Sequence, residues 1–235
     1  MKEFEIRSKK ILEYVNSKEY KIMTAKQIAV IFGVPKDDMK EFEKIITKLE
    51  VEGKIYIDDS KRICVLKNTS KFVCKFEAKS KGFGFARVLS DKSDVKDIYI
   101  SKENINGAFD EDIVLVDVYS KREEGKKLEG RIIKIIKRGE ARFVGIIEKN
   151  DSFAFVSVMD RVIDDVYIPY KGLQGVENKD RVAIKITKYP TATRKAEGKI
   201  VEVIGHESDK DIEQAVILAS HNIVEKFPKA VIAEA

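Results

Sequence analysis

The sequence has no tryptophan and is poor in cysteine, histidine and proline, with two, two and four of each among its 235 residues. Two cysteines cannot form the disulfide framework of a small secreted domain, so we expect a reducing, cytoplasmic environment. The first residues, MKEFEIRSKK, lack the apolar segment of a secretory signal. No run of about 18 apolar residues is present either, so we expect no membrane partner.

The motifs of common catalytic sites are also missing. No G-x-S-x-G nucleophile, no P-loop and no dinucleotide fingerprint occurs. The histidines, His206 and His221, have no cysteine or acidic neighbours at the spacing of zinc ligands. We therefore predict no catalytic residue, no metal site and no cofactor within these residues.

Charge is abundant, because 36% of the residues are charged and the net charge is +5. A positive balance fits a polyanionic partner such as a nucleic acid. The length indicates two or three small domains. Lysine and arginine exceed the acids most clearly in residues 70–138, which makes this segment the first candidate for nucleic-acid binding.

Residues 1–67 have the pattern of a winged helix-turn-helix. Apolar residues at helical spacing, a capping box at Thr24 and Gln27, and stops at Gly33 and Gly53 predict three helices. The short β-runs KIYI and RICVL follow and predict a hairpin. Acids outnumber lysines in the third helix, which argues against a reader of the DNA major groove and favours a docking or auxiliary RNA-contacting role.

An internal repeat begins after residue 70. The segment DIYIS at 97–101 matches DVYIP at 165–169, an offset of 68 residues. Two more pairs, GAFDEDIVLVDV with GVENKDRVAIKI and LEGRIIKIIKR with AEGKIVEVIGH, keep the same offset. Short strands separated by turns predict two five-stranded β-barrels of the OB type, at 70–138 and 141–206. The predicted fold class is therefore α+β and multidomain, with a short helical tail.

The segment KSKGFGFARV, which opens the first repeat, predicts a binding surface. Alternate residues of a strand face opposite sides, so Phe83, Phe85 and Arg87 share one face while Gly84 and Ala86 share the other. Exposed rings on a basic sheet stack unpaired bases, and nearby lysines meet the phosphates. The alternative is that the rings belong to a covered core. We predict RNA contacts by Phe76, Lys79, Lys81, Phe83, Phe85, Arg87 and Tyr99, and by Phe153, Phe155 and Tyr167 in the second repeat.

KGFGFARV together with DIYIS resembles the paired RNA-binding motifs of cold-shock domains. The order of a winged helix and two such barrels resembles the N-terminal region of the ribonuclease R family, in the ribonuclease II superfamily. Residues 207–235 are similar to the segment that leads into the catalytic domain of that family. The resemblance implies a 3′-to-5′ exoribonuclease whose aspartates hold Mg²⁺ in a catalytic domain outside these residues.

On this resemblance, we expect the chain to capture single-stranded or structured RNA and to guide it to its own catalytic domain, without degrading RNA itself. Two other hypotheses stay open at the level of sequence. One is a stand-alone RNA-binding protein of the cold-shock type. The other is a DNA-binding regulator led by the winged helix, which predicts tight binding of duplex DNA that does not depend on Phe83 and Phe85.

Overall fold

The computed structural model describes residues 2–79, 81–89, 95, 97–119, 128–139, 142–159, 165–191 and 193–220. The chain divides into two compact units, one of Met1–Ala78 with Gly82–Gly139 and one of Lys79–Lys81 with Glu140–Ala235. In the described part of the chain, no helix is both long enough and apolar enough to cross a bilayer. The end of the predicted helical tail, 221–235, lies outside the described residues.

The first unit begins with three helices and a small antiparallel sheet, here called the helical module. Thr24 and Gln27 form the predicted capping box, and Gly33 follows the second helix with a positive φ of 62°. The sheet order is β1-β3-β2, and its inner face packs on the helices through Ile55 and Ile63. The elements are α1 (Lys2–Val15), β1 (Met23–Thr24), α2 (Ala25–Ile31), α3 (Met39–Val51), β2 (Ile55–Ile57) and β3 (Arg62–Val65).

The first unit continues with a closed five-stranded barrel, as predicted. Its strands run in the order β4-β5-β6-β8-β7, and only the β6–β8 pair is parallel among these neighbours. This is the order of an OB-type barrel. The strands are β4 (Lys71–Ala78), β5 (Gly84–Val88), β6 (Asp97–Ile100), β7 (Ile113–Val118) and β8 (Leu128–Lys137).

The second unit contains a second closed barrel of the same topology, which confirms the architecture predicted from the repeat. A helix packs on it, with Ile212 and Val216 against Val144 and Ala183. That a further domain starts at residue 207 stays a prediction. The elements are β9 (Phe143–Lys149), β10 (Phe153–Val158), β11 (Val166–Pro169), β12 (Asp180–Lys188), β13 (Glu197–His206) and α4 (Ile212–Ser220).

The two barrel cores fill equivalent positions with different pairs of residues. In the first barrel Phe76 is fully buried and lies beside Gly84, where an added Cβ would come within 2.3 Å of the ring. In the second barrel the smaller Ile147 occupies the corresponding core position, and Ala154 replaces the glycine. Interiors are close-packed, so a larger side chain on one strand requires a smaller one on its neighbour.

The helical module is fixed to the outer surface of the first barrel by a row of three register partners. Val73 on β4 pairs with Leu115 on β7, which pairs with Lys134 on β8. A Cβ built on Gly53 lies 3.4 Å from Val73, so the turn after α3 contacts this row. The buried carboxylate of Glu50 accepts hydrogen bonds from the Lys134 Nζ at 2.9 Å and from the backbone N–H of Ile57 at 3.0 Å.

Each barrel also holds a buried aspartate that organises the turn before its fourth strand. Asp112 is fully buried and accepts hydrogen bonds from the backbone N–H of Phe109, from the Arg138 guanidinium and from the backbone N–H of Gly139. Asp180, 68 residues later, accepts from the backbone N–H of Glu177 at 2.8 Å. The repeat therefore preserves a turn-stabilising carboxylate as well as the strand pattern.

Burial of two thiols and two phenols makes the stability sensitive to alkaline pH. Cys64 and Cys74 are free and buried, and burial raises the pKa of both thiols. Burial also raises the pKa of Tyr20, and it raises the pKa of Tyr56 to about 12. The unfolded chain therefore releases these protons at a lower pH than the folded chain.

We expect the free energy of unfolding to be nearly constant around pH 7 and to fall as the pH rises through the unfolded-state pKa of cysteine, near 8.5. The fully buried Cys74 thiol contributes at most about 1.4 kcal/mol per pH unit, and the partly buried tyrosines add a smaller loss above about pH 10. Urea unfolding at pH 7 to 10.5 measures this loss. Cys74→Ala should reduce the slope. An equal alkaline slope with and without the Cys74 thiol would contradict the assignment.

Candidate nucleic-acid interface

Three aromatic rings come together on the outside of the first barrel, here called the first triad: Phe83, Phe85 and Tyr99. Phe85 lies opposite Tyr99 in the β5–β6 register, and Phe83 directly precedes β5. The Phe83 ring centroid is 5.8 Å from that of Phe85 and 5.6 Å from that of Tyr99. All three side chains are partly exposed, while Ala86, Ile98 and Ile100 on the same strands are buried. The rings thus line the outer face, as the alternation of the strands predicts.

The second barrel repeats this arrangement with Phe153, Phe155 and Tyr167, the second triad. The Phe153 centroid is 5.5 Å from Phe155 and 6.0 Å from Tyr167, and the interplanar angles differ by less than 20° from those of the first triad. Phe155 and Tyr167 are register partners on β10 and β11. Partly exposed rings held at 5.5–6.0 Å form a preorganised apolar surface in each barrel.

The cation beside the first triad is Arg87, whose side chain is 69% exposed. Its guanidinium lies 3.8 Å from Glu77 and 3.6 Å from Asp97, both of which are also well exposed. Exposed ion pairs of this kind contribute little to stability, so a phosphate can replace either acid at low cost. Lys81 is exposed and Lys79 is partly buried in the turn that precedes Phe83.

The cation beside the second triad comes from a different part of the barrel. Ser157 occupies the position of Arg87, and its hydroxyl donates a hydrogen bond to Asp165 at 2.8 Å. Lys195, on the β12–β13 connection, lies 4.0 Å from Asp165 and 5.1 Å from the centroid of the Phe155 ring. Sequence reasoning missed Lys195, because a loop rather than a strand neighbour brings it to the rings.

Phe76 was wrongly predicted to contact RNA. Its side chain is fully buried in the first barrel, with Cys74 and Ala86 in the same core cluster. The alternation of KFVCKFEA could have indicated this burial, since Phe76 lies on the same face of the strand as Cys74 and on the opposite face from Lys75. This also settles why Gly84 interrupts the aromatic segment: the glycine faces inward and leaves room for the Phe76 ring.

Among the described residues, no three histidine, cysteine, aspartate or glutamate side chains lie close enough together to hold a metal ion. His206 instead contacts its neighbours, with Nδ1 2.8 Å from the Ser208 hydroxyl and its backbone N–H donating to Asp209. The chemistry that the two surfaces offer is aromatic stacking together with cationic contacts.

Comparison with known proteins identifies both barrels. Residues 74–135 match the family described as the Ribonuclease B OB domain, and residues 155–228 match the Cold shock domain family. Ribonuclease R of Aquifex aeolicus is 32% identical over 93% of this chain and 30% of its own length. Ribonuclease R of Thermotoga maritima is 29% identical over 98% of this chain and 32% of its own length.

A solved structure shares the fold. Mycoplasma genitalium RNase R in complex with ribose-methylated single-stranded RNA superposes with a TM-score of 0.52, at 20% identity, over 68% of this chain and 25% of that chain. The chain spans about a third of the length of the ribonuclease R relatives named above. With two matched barrel families and these relatives, the chain is similar to the N-terminal, barrel-containing region of ribonuclease R.

Proposed function

We propose that this chain binds single-stranded RNA by stacking unpaired bases on its aromatic triads. The observation that carries the proposal is the duplicated triad, two sets of partly exposed rings with nearly the same geometry on two barrels. A structural core residue has no reason to be exposed twice at equivalent positions. Stacking is tolerant of sequence, so we expect weak base preference.

The first triad is proposed as the principal contact, with Lys79, Lys81 and Arg87 meeting the phosphates. In the second triad, Lys195 already lies over Phe155 and pairs with Asp165. A base that stacks on that ring must share or displace the lysine. The contribution of Phe153, Phe155 and Tyr167 is therefore proposed to be smaller.

The relatives support a role for this RNA binding. We propose that the chain is the RNA-capturing region of a 3′-to-5′ exoribonuclease and that it delivers unpaired strands to a catalytic domain. Mg²⁺, which the family implies, has no fitting ligand set among the described residues, so we derive no hydrolytic step from them. We also propose a cytoplasmic location, which the two free cysteines support.

The helical module is proposed to be a winged helix that serves as a fixed companion of the first barrel. Its element order and its β2–β3 hairpin support this assignment. A DNA-binding regulator is not favoured, since the relatives are ribonucleases and the rings lie on the barrels.

The test is competition for the full chain. A labelled unpaired RNA oligonucleotide should be displaced efficiently by unlabelled unpaired RNA of unrelated sequence, and at least about tenfold less efficiently by blunt RNA or DNA duplexes, because bases inside a duplex cannot stack on protein rings. Fluorescence anisotropy measures the displacement. Equal competition by duplex DNA would reject the proposal.

A further inference from the structure

The outer face of α3 carries a regular row of lysines. Its inner face packs into the module through Phe42, Ile45, Ile46 and Leu49, all of them buried. Lys40, Lys44 and Lys48 are exposed and follow one another at intervals of four residues. Each interval advances about 6 Å along the helix axis, so the three ammonium groups form a line rather than a cluster.

Three acids of α3 and of the residue that follows it are held in ion pairs. Glu41 lies 3.6 Å from Arg7 of α1, and Glu50 is buried against Lys134. Glu52 pairs with Lys48 at 3.6 Å. The excess of acids in the helix sequence therefore does not describe the outer face. On that face Glu52 pairs with Lys48, and Glu43 lies among the lysines.

The row of lysines forms one wall of an open groove, here called the lysine groove. Its volume is about 650 Å³, and β8 of the first barrel contributes Lys137 to it. Among the described residues, Lys40, Lys44 and Lys137 form no ion pair. Glu43 is the one carboxylate in the lining, so the groove carries a net positive charge. The groove is lined by Lys40, Glu43, Lys44, Thr47, Lys48, Val51 and Lys137.

We propose that the lysine groove binds the sugar–phosphate backbone of RNA as a second contact site, separate from the aromatic triads. Evenly spaced lysines match a strand with repeating negative charge. Among the described residues, no aromatic side chain lines the groove, so it offers no ring on which to stack a base. Val51 alone is too small an apolar anchor for a protein partner. The inference rests on the proposed function only in taking RNA as the ligand.

The groove is fixed in shape by the contact that joins the helical module to the barrel. Lys134, which binds Glu50, and Lys137, which lines the groove, are three residues apart on β8. Glu129 is the register partner of Tyr99 in the first triad. It lies eight residues before Lys137, which is a distance of at most about 26 Å along β8. An RNA strand held by both sites must therefore exceed the length needed for the triad alone.

The test compares two triple variants of the full chain. Lys40→Gln, Lys44→Gln and Lys137→Gln remove three charges from the groove, whereas Lys18→Gln, Lys21→Gln and Lys26→Gln remove three exposed charges from elsewhere on the module. For a long unpaired RNA at about 0.1 M salt, the groove variant should bind at least about tenfold more weakly than the control. Its plot of log K against log salt should be shallower by about two, since each lost single-strand phosphate contact removes about 0.7.

The outcomes separate this inference from the proposed function. A groove variant that matches the control variant in affinity and salt slope overturns the inference. In that case a large loss in the variant Phe83→Leu with Phe85→Leu still supports stacking by the triad. If the triad variant binds like the wild type while the groove variant is weak, the groove stands and the triad proposal fails. Matching thermal unfolding of both triple variants shows that the fold is retained.

Discussion

Replacing Phe83 and Phe85 together by leucine is expected to weaken binding of an unpaired RNA oligonucleotide by at least about 30-fold. Two stacked bases are lost, and each is worth roughly 1–3 kcal/mol. Leucine keeps the site apolar but offers no flat ring. Both side chains lie on the outer face and are already partly exposed, so the free energy of unfolding should change little.

The second barrel supplies the matched control. Phe153→Leu with Phe155→Leu removes the same two ring types from the same register positions, but beside Lys195 instead of Arg87. We expect a smaller loss of affinity from this variant. Equilibrium titration by fluorescence anisotropy at fixed salt measures both. Affinity within threefold of the wild type for the first-triad variant would contradict stacking on that surface.

Gly84→Ala is expected to destabilise the first barrel by about 3 kcal/mol, an unusually large effect for one added methyl group. The new Cβ would lie 2.3 Å and 2.4 Å from two ring carbons of Phe76 and 2.7 Å from the carbonyl oxygen of Glu77. The ring is fully buried, and protein interiors are close-packed. Either the ring or the β4–β5 ladder must move.

A double-mutant cycle with Phe76→Ile isolates the packing conflict. Together the two substitutions install the pair that the second barrel uses, Ile147 with Ala154. The double variant should be at least about 1 kcal/mol more stable than the sum of the single effects predicts. The rescue is incomplete, because the Glu77 carbonyl remains close to position 84.

The reciprocal substitution in the second barrel, Ala154→Gly, should cost only about 0.5–1 kcal/mol, the usual cost of glycine within a strand. Hydrogen exchange of β4 and β5 reports the first barrel specifically, whereas global unfolding mixes the two units. A Gly84→Ala variant with wild-type protection in these strands would show that the core has more room than the structure indicates.

The sequence was most informative where a period or a repeat was present. The offset of 68 residues predicted two barrels, and the alternation of FGFARV predicted that Phe83 and Phe85 share the outer face. The capping box and the stop at Gly33 were also predicted correctly, because each depends only on residues within one turn.

Contacts between distant residues could not be predicted. Glu50 and Lys134 are 84 residues apart, and no local pattern indicates that their charges meet. Lys195 meets the Phe155 ring across 40 residues of sequence, and no local pattern indicates that contact either. The sequence analysis counted the charges of α3 over the whole helix, although packing places its charged residues on two different faces. RNA binding by the individual site residues stays a prediction.

The row of Val73, Leu115 and Lys134 has a consequence for experiments that shorten the protein. Val73 and Leu115 are each only 2% exposed, although they lie on the outer face of their strands, and the turn after α3 contacts Val73. Deleting residues 1–67 removes that cover and takes Glu50 away from the Lys134 ammonium group. The truncated barrel would then display an apolar, cationic patch prone to self-association. Any activity lost by such a deletion therefore cannot be assigned to missing nucleic-acid contacts until the truncated protein is shown to be monomeric and folded.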